Sequence, residues 1–327
     1  MDRFFYKLDC FLKSQISRRA FLKILLGGFA AFISNNIFLK KAFARSETAA
    51  ARKSRNSLGD HDLVVSHGKD PYANTVKAVE KMGGMERFVR QGDVVVVKPN
   101  MAWDRTPAQA ANTDPGVVAA LVDMAYKAGA KRVNVFDITC NEERRCYASS
   151  GIAEAAKARG AYVYFPDHWN VAKAHFAYMS PMEGWPLLRD AVDCDVFINA
   201  PVLKHHGLTG LTLSMKNLMG ICSGTRGLIH VNIGDKLADL TDFIKPDLTV
   251  IDATRVLVRH GPSGGDLADV EVMDKVIVAT DPFLADSYAS ELAGRDPMSI
   301  PYIKAAAQKG RGGLKVSGAD IVTMEAG

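Results

Sequence analysis

The sequence holds no apolar run long enough to cross a bilayer, which takes roughly 20 residues. Its best candidate, Ile24 to Ile33, is far shorter and is broken by Gly27 and Gly28. Internal repeats and low-complexity tracts are also missing, which excludes solenoids, coiled coils and tail-like disorder. Cysteine is scarce, with five in 327 residues, and none is spaced as in zinc ribbons or ferredoxins. The glycine-rich stretches at 220–227 and 261–265 follow neither a Walker nor a dinucleotide-binding spacing. What remains is 48% hydrophobic and 24% charged, an ordinary globular composition long enough for one large core or two modest ones.

An excess of positive charge is missing too once the chain is divided. The formal charge is +5, yet the first 44 residues hold eight Lys/Arg against Asp2 and Asp9, so the remainder is −1. That balance gives no electrostatic reason to expect nucleic-acid binding. The basic segment carries Ser17-Arg18-Arg19-Ala20-Phe21-Leu22-Lys23, the S-R-R-x-F-L-K pattern of twin-arginine export signals, then the apolar stretch, then an A-x-A cleavage site at Ala42-Phe43-Ala44. Residues 1–44 are therefore expected to be a signal peptide read by the twin-arginine translocase, leaving a periplasmic protein without a stable membrane span. Retention as an uncleaved anchor is the alternative. Residues 45–60, polar and unpatterned, are expected to form a flexible leader.

From residue 61 to 327 strands alternate with amphipathic helices. The run from Asp93 to Val97 is read as a strand apolar on both faces, as in a parallel strand covered from both sides. Asp114-Pro115 and Asp281-Pro282 combine an N-cap with proline at the first helical position. The expected fold is α/β, one mainly parallel sheet with helices on both faces, residues 205–247 being the candidate for a smaller lobe. Within that stretch a single strand at 195–203 and a helix from Thr209 to Met219 are expected.

Polar groups gather where strands end. Val97 is followed by Lys98-Pro99-Asn100, Phe136 by Asp137, Leu203 by Lys204-His205-His206, Ile251 by Asp252, and Ala279 by Thr280-Asp281. If the strands are parallel, all of these ends lie along one edge, where open α/β sheets bind ligands. Lys204, His205, Lys216 and His230 are the candidate catalytic groups. Lys98, Asn100, Asp137, Asn217, Arg226, Asp252 and Asp281 are the candidate ligand-binding groups. Lys216 lies among Leu211, Leu213, Met215, Leu218 and Met219, so it is expected to be desolvated and either paired with an anion or poised as a base. His206, Cys140 and Cys146 are the candidate metal ligands. Three readings compete for the cysteines: a disulfide between Cys140 and Cys146, free or buried thiols, and an iron–sulfur centre using Cys140, Cys146, Cys194 and Cys222.

The runs Lys204-His205-His206-Gly207-Leu208-Thr209-Gly210, Lys216-Asn217-Leu218-Met219-Gly220, Arg226-Gly227 and His230 resemble the signature of the DUF362 family. Lys98-Pro99-Asn100, the strand ending in Asp137, Ile251-Asp252-Ala253 and Thr280-Asp281-Pro282 extend the resemblance over about 60–310. Members with a twin-arginine signal and a Cys140 to Ser150 element, CNEERRCYASS, are the most similar, without the ferredoxin-type segment appended in others. The family is one of unknown function, so the resemblance implies no reaction. Three functions stay open: a polar strand-end cleft for a metal ion or small anionic ligand, an iron–sulfur redox protein, and a non-catalytic binding or maturation partner of another exported enzyme.

Overall fold

The computed structural model describes residues 47–55, 58–312 and 316–326. The residues expected to form the signal peptide, from Ser17, Arg18, Arg19, Phe21, Leu22 and Lys23 to Ala42 and Ala44, lie outside the described residues.

A ten-stranded sheet runs through the molecule. In chain order its strands are β1 (Leu63–His67), β2 (Val94–Pro99), β3 (Arg132–Val135), β4 (Tyr162–Val163), β5 (Val196–Ala200), β6 (Val202–His206), β7 (Gly210–Thr212), β8 (Leu248–Leu257), β9 (Val270–Ala279) and β10 (Ile321–Glu325). Across the sheet the order is β10-β1-β9-β8-β5-β2-β3-β4, with β6 beside β8 and β7 beside β6. Pairing is parallel except where β9 meets β1 and β8 and where β7 meets β6. The expected α/β class holds.

The helices are α1 (Pro71–Lys81), α2 (Pro115–Lys127), α3 (Glu143–Ser149), α4 (Ile152–Ala158), α5 (Arg189–Val192), α6 (Ser214–Asn217), α7 (Ile233–Ile244), α8 (Pro282–Leu292) and α9 (Pro301–Gln308). Alternate strand residues feed two cores. Val95, Val97, Val133, Val135, Val196 and Ile198 pack with Val79, Val118, Leu121 and Ile152 of α1, α2 and α4. Val96, Phe197, Leu203, Ile251 and Ile277 pack with Leu237, Phe243, Leu284 and Ile303 of α7, α8 and α9. Two buried faces explain why these strands are apolar throughout rather than alternating.

Three local expectations need correction. The strand expected at 195–203 is two strands broken at Pro201, which has no N–H to give a ladder. The helix expected from Thr209 to Met219 begins as strand β7, whose Leu211 and Thr212 pair with His205 and Lys204. Its apolar residues at 211, 213 and 215 have strand period, and only Ser214–Asn217 is α-helical. Residues 205–247 form no separate lobe, because Leu211, Leu213, Leu237 and Phe243 belong to the main core. A small three-stranded sheet instead joins Thr48–Ala49, Val171–Ala174 and Pro186–Leu188.

The segment expected to be a flexible leader is held down over residues 47–55. Arg52 is buried, forms an ion pair with Asp247, and donates to the carbonyls of Lys245 at 2.9 Å and Asp195 at 2.9 Å. Asp247 also accepts from Phe197 N at 2.8 Å and Ser54 Oγ at 2.9 Å. Composition did not betray this, since one arginine satisfies chain ends from three distant elements. Arg52→Ala would leave a buried carboxylate unpaired, so it is expected to lower unfolding stability by about 3–5 kcal/mol. Urea titration measures it, with the exposed Lys53→Ala within about 0.5 kcal/mol of wild type as the control.

Candidate functional site

The break at Pro201 makes the site. β5 lies between β2 and β8, whereas β6 pairs with β8 and β7 only. Past Ala200 the strands therefore diverge, and a cavity of about 640 Å3 opens at the carboxyl ends of β2, β3 and β5. Side chains of β6, α6 and the turns at 218–221 and 226–230 form its other walls.

Lys98 and Asp137, ending β2 and β3, form an ion pair at 2.8 Å with each side chain 1% exposed. The Lys98 Nζ also donates to the backbone O of Asn217 at 2.7 Å and to its Oδ1 at 2.9 Å. Asp137 Oδ2 accepts from Met101 N at 2.7 Å, and Tyr147 Oη holds the Asp137 amide at 3.0 Å. Burial pulls the Lys98 ammonium down from its ordinary value, and Asp137 opposes the shift. Gly220 is required beside this pair: a Cβ there would lie 1.8 Å from Asp137 Oδ1 and 2.5 Å from Lys98 Nζ.

Asn217 connects the pair to the rest of the site. Its Nδ2 donates to Asn199 Oδ1 at 2.9 Å and Lys98 O at 3.2 Å, and its Oδ1 accepts from Asn100 Nδ2 at 3.2 Å. Asn100 Oδ1 then accepts from Lys204 Nζ at 3.2 Å. Both asparagines line the cavity, and bonds that use the whole Asn217 amide and tie Asn100 to Lys204 make them position the lysines. The helix bearing Lys216 and Asn217 is anchored from α8, where buried Asp286 accepts from Ser214 N at 2.7 Å and Met215 N at 3.0 Å. Burial raises the Asp286 carboxyl to about 7.

Three cations have no carboxylate partner among the described residues. Lys204, 1% exposed, donates to Asn100 Oδ1 and the Ala111 carbonyl and lies 5.9 Å from the ring centre of Trp103. Burial lowers it to about 7, with Lys216 adding to the shift. Lys216, 8% exposed, has the Met219 thioether at 3.5 Å as its polar partner and is lowered to about 8, again mainly by burial. Arg226 donates to the carbonyls of Ile138 and Thr139 and reaches Cys140 Sγ at 3.6 Å.

The two imidazoles differ in their bonding. His206 Nδ1 accepts from Leu208 N at 3.1 Å and Thr209 N at 3.4 Å, and burial lowers the ring to about 3, so it is neutral with its hydrogen on Nε2. His230 Nδ1 lies 3.1 Å from the Gly227 carbonyl and must donate to it, which leaves Nε2 as an acceptor. Burial and Lys216 lower His230. The rings stack with centres 6.4 Å apart.

Of the residues singled out in the sequence, Lys98, Asn100, Asp137, Cys140, Lys204, His206, Lys216, Asn217, Arg226 and His230 all line this cavity. Four do not. Strand alternation turns His205 away from Lys204 and His206, and its Nδ1 accepts from Gly261 N at 3.1 Å. Asp252 sits mid-strand because β8 continues to Leu257. There it accepts from Asp114 N at 2.7 Å and Thr254 N at 2.9 Å, and burial beside Asp114 raises it to about 6. Asp281 follows β9, which runs antiparallel, so it lies at the opposite edge and caps α8 through Phe283 N at 2.8 Å. Cys146 is buried, its thiol donating to the Ala102 carbonyl at 3.4 Å.

The cysteines bear on the metal expectations. All four described cysteines are free, so Cys140 and Cys146 form no disulfide. Cys194 and Cys222 are buried against the carbonyls of Ala191 and Leu218, and burial raises both thiols to about 12. Among the described residues no group of three or more His, Cys, Asp or Glu is placed to hold a metal ion. His206, Cys140 and Cys146 therefore do not make the expected site, and the four thiols do not converge on a cluster. Trp103 and Gly220 were not among the candidates, although Trp103 follows Asn100 closely and Gly220 ends the Lys216 run.

Three comparisons place the chain among known proteins. Residues 95–291, more than half of the chain, match the model of DUF362, a domain of unknown function. A thylakoid-associated protein of Synechocystis sp., sll1697, is 28% identical over 257 residues, covering 74% of this chain and 75% of the relative. The lactate racemase apoprotein of Thermoanaerobacterium thermosaccharolyticum superposes with a TM-score of 0.45 at 12% identity, covering 71% of this chain and 59% of that one. The matched span runs from β2 to α8 and includes every cavity residue discussed above, and the chain belongs to the DUF362 family.

Proposed function

We propose that this protein is exported by the twin-arginine route and binds a small organic anion in the cavity at the ends of β2, β3 and β5. One observation carries the binding reading: Lys204, Lys216 and Arg226 enter a space whose single carboxylate among the described residues, Asp137, is already committed to Lys98. Buried cations without counter-charge are costly, and a bound anion supplies that charge. Trp103, Ile138 and Met219 in the walls favour a ligand with a carbon body over an inorganic ion. The export reading rests on residues 17–23 and 42–44 of the sequence. No described helix is long and apolar enough to cross a membrane.

The sign of the pH dependence follows from the lysines. Lys204, lowered to about 7, and Lys216, lowered to about 8, are charged below those values and neutral above them. Affinity for small carboxylates, measured by calorimetry, is expected to be highest near about pH 6 and to fall roughly tenfold per lysine for each unit above its own pKa. Affinity that is flat or rises with pH would sink the reading.

Stability measured without ligand makes a second, opposite demand. In the unfolded chain Lys204 stays charged up to about pH 10. When folded it is charged only below about 7, so its burial costs stability below pH 10 and costs most below 7. Lys204→Met is therefore expected to raise the thermal midpoint at about pH 6, to raise it less at about pH 9, and to weaken anion binding at least tenfold. Scanning calorimetry at both values checks the first two outcomes. For export, replacing Arg18 and Arg19 together by lysine is expected to abolish periplasmic accumulation, read by cell fractionation.

A further inference from the structure

We infer that Lys216 is a nucleophile and that the cavity takes a small 2-oxo acid, its carboxylate held by Lys204 and Arg226 and its carbonyl carbon joined to Lys216 Nζ as an imine. The inference rests on the anion-binding reading above and names the substrate class of that same site.

Lys216 differs from the other amines of the cavity in what surrounds it. Lys98 is committed to Asp137 and Asn217, and Lys204 to Asn100 and the Ala111 carbonyl. Lys216 Nζ, nine-tenths buried, has no oxygen partner among the described residues, only the Met219 sulfur at 3.5 Å. A thioether is a weak acceptor and solvates an ammonium poorly, so the site favours the free amine. The lowering of Lys216 to about 8 agrees with this and makes a nucleophilic amine available near neutrality. A phosphate would also neutralise the cations, but it would give this amine nothing to react with.

Imine formation needs a proton acceptor and a hydrogen-bond donor for the developing alkoxide, and the stacked imidazoles supply one of each. His230 presents an unprotonated Nε2, and His206 carries its hydrogen on Nε2. The amine lone pair attacks the carbonyl carbon, the C–N bond forms, and the C=O π pair moves to oxygen, which takes a proton. His230 accepts one proton from the new C–NH2+ group. The resulting carbinolamine expels its hydroxyl as water with the proton His230 has taken up, leaving C=NH+, and the proton on the former alkoxide comes from solvent. The sum is one oxo acid, one amine and one proton giving one iminium and one water, with no oxidant or reductant.

The full-length exported protein is incubated with pyruvate, glyoxylate or, as a carboxylate without a carbonyl, propionate, then treated with sodium cyanoborohydride. Hydride addition to the iminium gives a stable secondary amine whose mass increment is the oxo acid less one oxygen atom. The expected result is stoichiometric labelling by pyruvate or glyoxylate, none by propionate, and a tryptic map that places the label on Lys216. Lys216→Arg and Lys216→Met are both expected to abolish it, so misfolding of one variant does not leave the test undecided. Calorimetry without reductant runs in parallel. Binding of all three carboxylates with no trapped adduct, or with the label elsewhere, overturns the imine and spares the anion site. Absence of any binding overturns both.

Discussion

The ion pair between Lys98 and Asp137 closes the floor of the cavity where the neighbouring strands β2 and β3 end. It joins the ends of β2 and β3, takes the backbone carbonyl and amide oxygen of Asn217, and leaves no room for a side chain at residue 220. Because the pair is almost fully buried, each partner needs the other, and removal of either would strand a charge in a low dielectric. By occupying the only carboxylate that the described residues place on the cavity wall, the pair also leaves Lys204, Lys216 and Arg226 without one among them.

The remaining polar network follows from that commitment. Asn217 hands the positioning on to Asn100, and Asn100 to Lys204, so Lys98 and Lys204 are held by one connected pair of amides. Asp286 fixes the start of the short helix carrying Lys216. Such an arrangement opposes stability, since burial lowers both Lys204 and Lys216 well below their ordinary values. Two apolar cores and the clamp of Arg52 on Asp247 offset that cost from elsewhere in the fold. Destabilised ionisable groups gathered in one cavity are the usual mark of a working site.

Much of this was legible in the chain itself. The β-branched run at 94–97, the Asp-Pro helix starts and the polar residues that follow apolar strands gave the layer architecture and most of the cavity wall, because strand ends in a parallel sheet share an edge. Asp281 shows the limit of that rule. Its strand looks like the others in sequence but runs antiparallel, which moves the residue to the far edge. His205 shows another limit, since adjacent strand residues face opposite ways and no pattern in Lys204-His205-His206 tells which two share the cavity.

Sequence alone determined the α/β class, the family signature and the residue types of the site, since these depend on local periodicity and on the order of side chains along the chain. Tertiary structure decided which charges are paired, because pairing is settled by distances between remote segments: Asp137 with Lys98 across two strands, Arg52 with Asp247, and, among the described residues, nothing acidic with Lys204 or Lys216. It also decided that the four described cysteines stand apart as thiols and that the cavity opens at Pro201, where one expected strand proved to be two.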